Sequence, residues 1–231
     1  MSIAENIARV RANIAAAAGE AGREASEVTL VGASKMNDAE ACRAAIAAGI
    51  DALGENREQE MTKKLAEHAY DGAPLHFIGH LQRNKVKNVV GKVALLESVG
   101  SLELLAAVDK QAGKLQIVQD ILLEVNIGGE EAKSGFAPEA LAQAAQEARR
   151  CENVRVRGLM CIPPVAEGEH GSLPYFEKVH ALFVDINAKL YDNTLDILSM
   201  GMSGDYEDAV RAGATMVRVG TAIFGARNYT N

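Results

Sequence analysis

The chain has 231 residues, with 24 Lys+Arg against 31 Asp+Glu for a formal net charge of -7, and 48% of its residues are hydrophobic. Those proportions exclude a disordered, fibrous or membrane-spanning chain, and the acidic balance argues against a broad nucleic-acid platform, which needs concentrated positive charge. Cys42, Cys151 and Cys161 are odd in number without CxxC spacing, and the histidines form no HExxH pair, so neither a disulfide framework nor a metal site is expected.

At the N-terminus, Arg9 and Arg11 precede a short Ala-rich run, but Ile3, Ile7, Val10 and Ile14 recur at helical spacing. This predicts a surface helix over about residues 2–24, not a signal peptide, and a cytoplasmic protein. Eight short apolar runs rich in β-branched residues follow: Val28–Ser34, Ile50–Gly54, Leu75–Gly79, Val93–Val99, Ile121–Asn126, Val154–Met160, Leu195–Met200 and Met216–Gly220. Nearly all are continuous, as in strands covered on both faces. Helical stretches lie between them, among them Ala39–Ala48, Arg57–Ala69, Leu102–Ala112, Pro138–Arg150 and Pro174–Leu190. Strand and helix alternating eight times predict a single-domain α/β protein, a (β/α)8 TIM-type barrel over residues 1–231 with an extra N-terminal helix. The rival, an open doubly wound sheet, usually carries a glycine-rich turn after its first strand, and Gly32-Ala33-Ser34-Lys35 is not GxGxxG. The longest irregular stretch, Ile162–Leu173, follows the sixth strand on the side where barrel sites are built.

Lys35 ends the first strand on the face of Val31 and Ala33, which aims it into the barrel mouth. Desolvation there lowers an ammonium pKa and makes the amine a better nucleophile for an aldehyde; a snorkelling strand-end lysine is the plainer alternative. Arg218 lies inside the eighth apolar run, and strand eight neighbours strand one in a closed barrel. A buried guanidinium stays charged, so it meets either a ligand or a carboxylate such as Glu124. Two small-residue turns, Ser199–Asp205 and Gly220–Gly225, follow strands seven and eight, where barrels often hold phosphate. Glycines let amide N–H groups approach an anion, and Ser203 and Thr221 add hydroxyls. Lysine, arginine and turns together imply a phosphorylated carbonyl ligand. Arg83, Lys85, Lys87 and Lys92 read as a solvated face, and His76 and His80 as packed or capping residues. Lys133 is a surface lysine or a second amine at the rim, and Met200 and Met202 are packing residues rather than ligands.

With its motifs LVGASK (Leu30–Lys35), GEN (Gly54–Asn56), HFIGHLQRNK (His76–Lys85), Glu124–Asn126 with Lys133-Ser134-Gly135, GLM (Gly158–Met160), LSMGMSGD (Leu198–Asp205) and VRVGTAIFGAR (Val217–Arg227), the chain closely resembles the YggS/PROSC-like pyridoxal phosphate homeostasis proteins. These are fold type III barrels related to the barrel of alanine racemase. The resemblance implies pyridoxal 5'-phosphate as cofactor, with Lys35 as the Schiff-base lysine and Arg218 facing the pyridine nitrogen. It also implies that Ser203, Gly220 and Thr221 hold the phosphate and that Asn56 and Met200 line the ring site. After Lys35 the family commonly has Thr-Lys-Pro, where Met36-Asn37-Asp38 stand here, and Arg57 replaces an aromatic or Lys after GEN.

The function the resemblance implies is buffering or delivery of the cofactor through a Lys35 aldimine, without substantial catalysis. Pyridoxal phosphate-dependent apo-enzymes are then candidate partners, and a monomer is expected. The alternatives are an amino-acid racemase on the same barrel and a barrel enzyme acting on a phosphorylated sugar. Racemisation needs acid–base groups on both faces of the substrate carbon, and alanine racemase takes the second, a tyrosine, from an additional domain. This chain ends a few residues after the eighth strand's loop, so no such domain is expected. Its tyrosines, Tyr70, Tyr175, Tyr191, Tyr206 and Tyr229, are predicted on helices, loops or the tail.

Overall fold

A computed structural model of the chain describes residues 1–130 and 133–225. Arg227, Tyr229 and the Glu131-Ala132 pair of the Lys133 turn lie outside the described residues. Eight parallel strands close in sequence order: β1 (Thr29–Ala33), β2 (Ala52–Glu55), β3 (Leu75–Phe77), β4 (Leu95–Val99), β5 (Gln119–Val125), β6 (Val154–Cys161), β7 (Ile197–Ser199) and β8 (Met216–Val219). Helices alternate with them: α1 (Ile3–Glu20), α2 (Ala39–Ala47), α3 (Glu58–Ala66), α4 (Val86–Val89), α5 (Leu102–Leu115), α6 (Leu141–Arg150), α7 (Leu173–Leu190), α8 (Tyr206–Arg211) and α9 (Thr221–Phe224). The predicted (β/α)8 barrel with its extra N-terminal helix is the observed fold.

The strands are mostly apolar because both faces of the sheet are largely buried, with charged residues such as Glu97 and Arg218 interrupting them. Val31, Ala52, Leu95, Leu122, Met160 and Met216 meet as a floor inside the barrel, with Ile197 against it. Their neighbours, such as Leu30, Leu53, Leu96, Leu123, Leu159, Leu198 and Val217, point outward into a larger cluster shared with the helices. Above this floor, toward the carboxyl ends of the strands, Glu97, Ser199 and Arg218 enter the interior.

Boundaries differ from expectation for local reasons. The Ile50–Gly54 run becomes strand only at Ala52, because the Ile50 amide still donates to Ala45 O and closes the turn after α2. Helix α1 starts on a capping box, with Ser2 Oγ accepting from the Glu5 amide and the Glu5 carboxylate from the Ser2 amide. It stops at Glu20 because Gly22 turns left-handed (φ 69°). The Gly22 amide then donates to Gly19 O and the Arg23 amide to Ala18 O, which is a Schellman stop. Asn13 reaches Tyr206 Oη at 2.9 Å, and Asn6 donates to Ile223 O at 2.8 Å, so α1 braces α8 and α9 behind the last two strands. Among the described residues, no helix is long and apolar enough to cross a membrane.

Candidate functional site

The register Val31↔Arg218 sets β1 beside β8. Val31 and Met216 belong to the interior floor, so strand alternation turns Ala33 and Arg218 inward as well, and Lys35 follows in the turn just after β1. Lys35 is half-buried at the mouth, one step beyond Ala33, and Arg218 sits lower and is only 3% exposed. The two cations that stood out in the sequence thus lie at the same end of the barrel, on or just after neighbouring strands.

Arg218 is held by a polar chain across the barrel. Its Nη1 donates to Ser199 Oγ (2.6 Å) and its Nη2 to Cys161 O (2.9 Å). Ser199 Oγ donates to Glu97 Oε2 (2.6 Å), and the other Glu97 oxygen meets His76 Nδ1 at 2.8 Å. Glu97 is fully buried and lies 3.8 Å from the guanidinium. Burial alone would raise the Glu97 carboxyl, but the His76 hydrogen bond and the His76 and Arg218 charges prevail and hold it below the ordinary carboxylate value. The carboxylate paired with Arg218 is therefore Glu97, not Glu124. Glu97 escapes sequence reasoning, although it interrupts the apolar run Leu95–Val99 just as Arg218 interrupts β8. His76 is packed, as expected, but in this central chain.

The turns after β7 and β8 close on each other through one hydroxyl. Ser203 Oγ accepts from the Gly220 amide (3.1 Å) and the Ala222 amide (3.3 Å). Gly201 permits the approach, since it adopts φ 91° and any Cβ there would stand 2.5 Å from Ala209 Cβ. Thr221 is exposed beside Gly220. Ser203, Gly220, Thr221 and the Arg218 strand are thus brought together. Met200 is not, because it is fully buried in the outer cluster while Ser199, next to it, takes the inward position. Met202 is exposed rather than packed. Asn56 follows β2 at the mouth, and its Oδ1 is buried without a hydrogen-bond partner, an acceptor suited to a donor from a ligand.

On the opposite side of the mouth, a cavity of about 480 Å³ is lined by His80, Glu124, Asn126, Lys133, Ser134 and Ile162. Burial pushes the Glu124 carboxyl up, only partly offset by Ser134, which hydrogen-bonds it, and by the His80 and Arg218 charges. A larger groove of about 1190 Å³ continues from it between the loops after β3 and β4, shared through His80, Lys133 and Ser134. This groove lies away from the β1 and β8 side where Lys35 and Arg218 converge. Lys133 pairs with Glu130 and donates to Pro163 O. Arg83 and Lys87 are exposed, and Lys85 pairs with Glu58 at 3.3 Å, consistent with a solvated face.

The sequence profile of the alanine racemase N-terminal domain matches residues 6–228. The pyridoxal phosphate homeostasis protein of Aquifex aeolicus is 43% identical over 229 residues, 99% of this chain and 100% of that protein. That of Pseudomonas aeruginosa is 42% identical over 231 residues, covering 99% and 97%. Among solved structures, PipY of Synechococcus elongatus with pyridoxal phosphate bound superposes with a TM-score of 0.84 at 32% identity, covering 97% of this chain and 100% of that one.

Proposed function

The chain belongs to the alanine racemase N-terminal domain family and, within it, to the pyridoxal phosphate homeostasis proteins, and on that premise we propose that it binds pyridoxal 5'-phosphate at Lys35 and buffers or delivers the cofactor in the cytoplasm, catalysing little. The observation that carries this reading is the convergence of Lys35, the Glu97-anchored Arg218 and the Ser203–Gly220 contact at one end of the barrel. The residues there suit the group. A primary amine, a permanent cation, turn amides with two hydroxyls, and an unpartnered buried acceptor on Asn56 match an aldehyde, a ring nitrogen, a phosphate and a ring hydroxyl. When bound, the cofactor supplies an aldehyde that condenses with amines and a ring that stabilises negative charge.

Lys35 would hold that aldehyde, while Ser203, Gly220 and Thr221 would hold the phosphate. Asn56 would meet the ring; Met200 would support it only from behind, through the sheet. Arg218 has no proton to share at neutral pH, so a ring nitrogen facing it stays unprotonated and is a poorer sink for a carbanion. We take residues 1–231 as one unit acting as a monomer, with pyridoxal phosphate-dependent apo-enzymes as recipients. Neither nucleic acid nor membrane is part of this reading.

Ser203→Ala and Thr221→Val should each weaken pyridoxal phosphate binding several-fold, since a neutral hydrogen bond contributes about 0.5–1.5 kcal/mol. Unphosphorylated pyridoxal should bind nearly as before. Equal losses for both ligands in titration would remove the phosphate assignment.

The rival racemase reading needs a second acid–base group opposite the lysine. Tyr70 Oη donates to Glu55 and Tyr191 Oη to Ala145 O, Tyr206 Oη accepts from Asn13, and Tyr175 lies on α7, so none of these described tyrosines stands at a strand end. Incubating the loaded protein with a panel of amino acids in deuterium oxide should give negligible α-proton exchange. Lys35-dependent exchange at ordinary enzymatic rates of roughly 1 per second or more would favour the racemase instead.

A further inference from the structure

Behind the end of β1, on the face turned away from the barrel interior, lies a second buried polar cluster that the binding site does not use. Glu55 is fully buried, and its Oε1 accepts from Ser34 Oγ (2.6 Å), Lys64 Nζ (2.7 Å) and Tyr70 Oη (3.0 Å). Lys64, on α3 and 4% exposed, also donates to Glu60 Oε1 and to the Ser34 carbonyl, both at 2.8 Å. Glu60 in turn accepts from the Met36 amide. Burial works against the Lys64 charge, but the Glu55 and Glu60 contacts more than compensate and raise it above the ordinary lysine value, so it stays an ammonium.

These bonds fall on the two peptide groups that flank Lys35. The carbonyl of the preceding peptide, Ser34 O, is held by Lys64, and the amide of the following one, Met36 N, is held by Glu60. Met36 has φ 63°, a left-handed conformation that a residue with an unbranched side chain adopts only at a cost. Asn37 also closes this turn, its amide donating to Ser34 O and its side-chain amide to Lys35 O (both 3.1 Å), and the Glu60 carboxylate is the acceptor that holds the Met36 amide itself, one residue from the amine. A buried ion pair adds little net stability over well-packed apolar residues, so stability alone does not account for charges at this position. We propose that Lys64, Glu60 and Glu55 form a backbone clamp that sets the direction and reach of the Lys35 side chain in the mouth. They are positioning residues: they act through the Ser34-Lys35-Met36 backbone from the far side of the sheet. The inference rests on the reading of Lys35 as the reactive amine.

Three whole-chain variants test it. Glu60→Ala removes the acceptor for Met36 N from a partly exposed position, Glu60→Gln restores an acceptor oxygen, and the pair Glu55→Leu with Lys64→Met removes the clamp while leaving no lone buried charge. Each is compared by melting temperature, by affinity for pyridoxine 5'-phosphate, which has the phosphate but no aldehyde, and by the rate at which pyridoxal phosphate becomes fixed to Lys35 under borohydride. Glu60→Ala should slow fixation roughly tenfold, as expected for a small misplacement of a reacting group. Its pyridoxine phosphate affinity and folding should stay nearly unchanged, and Glu60→Gln should recover most of the rate. The apolar pair should fold and show a similar defect. A melting-temperature loss with an unchanged fixation rate, or a parallel loss of pyridoxine phosphate affinity, would reduce the cluster to a structural role and overturn the clamp. Acetic anhydride labelling of the ligand-free protein, mapped by mass spectrometry, separates the two levels of the argument. If wild-type protein fixes no cofactor at Lys35, the binding reading fails. Lys35 labelling relative to Lys178 and Lys189 then still decides the clamp, which is supported by a several-fold change in Glu60→Ala reversed in Glu60→Gln and is overturned by no change.

Discussion

Lys35→Ala should abolish the covalent adduct with pyridoxal phosphate and the visible absorbance that accompanies it, while the protein remains folded. Lys35 lies in the turn that follows inward-facing Ala33, at the carboxyl end of the strand that pairs with the one carrying Arg218. Lys64, at the same end of the barrel, is committed to Glu55 and Glu60 behind the sheet, and Lys133 is engaged with Glu130 at the far rim. Loss of the covalent bond leaves the phosphate turns and Arg218 to hold the ligand, so the affinity for pyridoxal phosphate should fall by about a hundredfold or more, roughly 2.7 kcal/mol. Pyridoxine 5'-phosphate, which cannot condense, should bind the variant nearly as well as wild type. The check is borohydride reduction followed by peptide mapping. An adduct found mainly on Lys133 or any other lysine of the wild-type protein would refute the assignment.

Glu97→Gln should be among the most destabilising single substitutions in the barrel. It leaves the Arg218 guanidinium, 3% exposed, without the carboxylate that stands within ion-pair distance of it among the described residues, and that group cannot shed its charge. Breaking a buried pair in this way costs about 3–5 kcal/mol, a melting-temperature loss on the order of 10 °C for a domain of this size. Replacing both partners, Glu97→Leu with Arg218→Met, should recover most of that loss while eliminating the ring contact. The pH dependence has a definite sign. The Glu97 carboxyl lies below its unfolded value, so its stabilisation is fully present above about pH 5 and is lost as pH falls through the folded value. Wild type should therefore lose stability on acidification through this window, and Glu97→Gln should show a flatter acid limb. Equal acid limbs in urea-unfolding series from pH 3 to 7 would show that Glu97 does not bear that charge in the fold.

The barrel was legible in the sequence because its signal is local. A strand buried on both faces must be apolar along its length, and eight such runs separated by helical periods leave few architectures other than a closed parallel sheet. Lys35 and Arg218 were legible for the same reason, as charges that end or interrupt such runs, and the turns Ser199–Asp205 and Gly220–Gly225 through their small residues and position. What each charge meets was not legible. Glu97 interrupts β4 just as Arg218 interrupts β8, yet only closure and register bring them across the barrel, with Ser199 between them and His76 on the far side of Glu97. A reading from sequence alone proposes Glu124 as the partner, which instead faces the rim cavity and bonds Ser134. Met200 shows the same limit from the other side. Its motif suggests the ring site, but one position of strand alternation sends it into the outer core while Ser199 points inward. The clamp behind Lys35 joins β1, β2 and α3, and no periodicity within any one of them announces it. Composition and periodicity thus determined the elements, the closed barrel and the end at which the candidate residues lie. Tertiary structure alone decided the pairing of buried charges, because that depends on which strands closure sets opposite one another and on a register in which a shift of one residue exchanges the barrel interior for the helical layer.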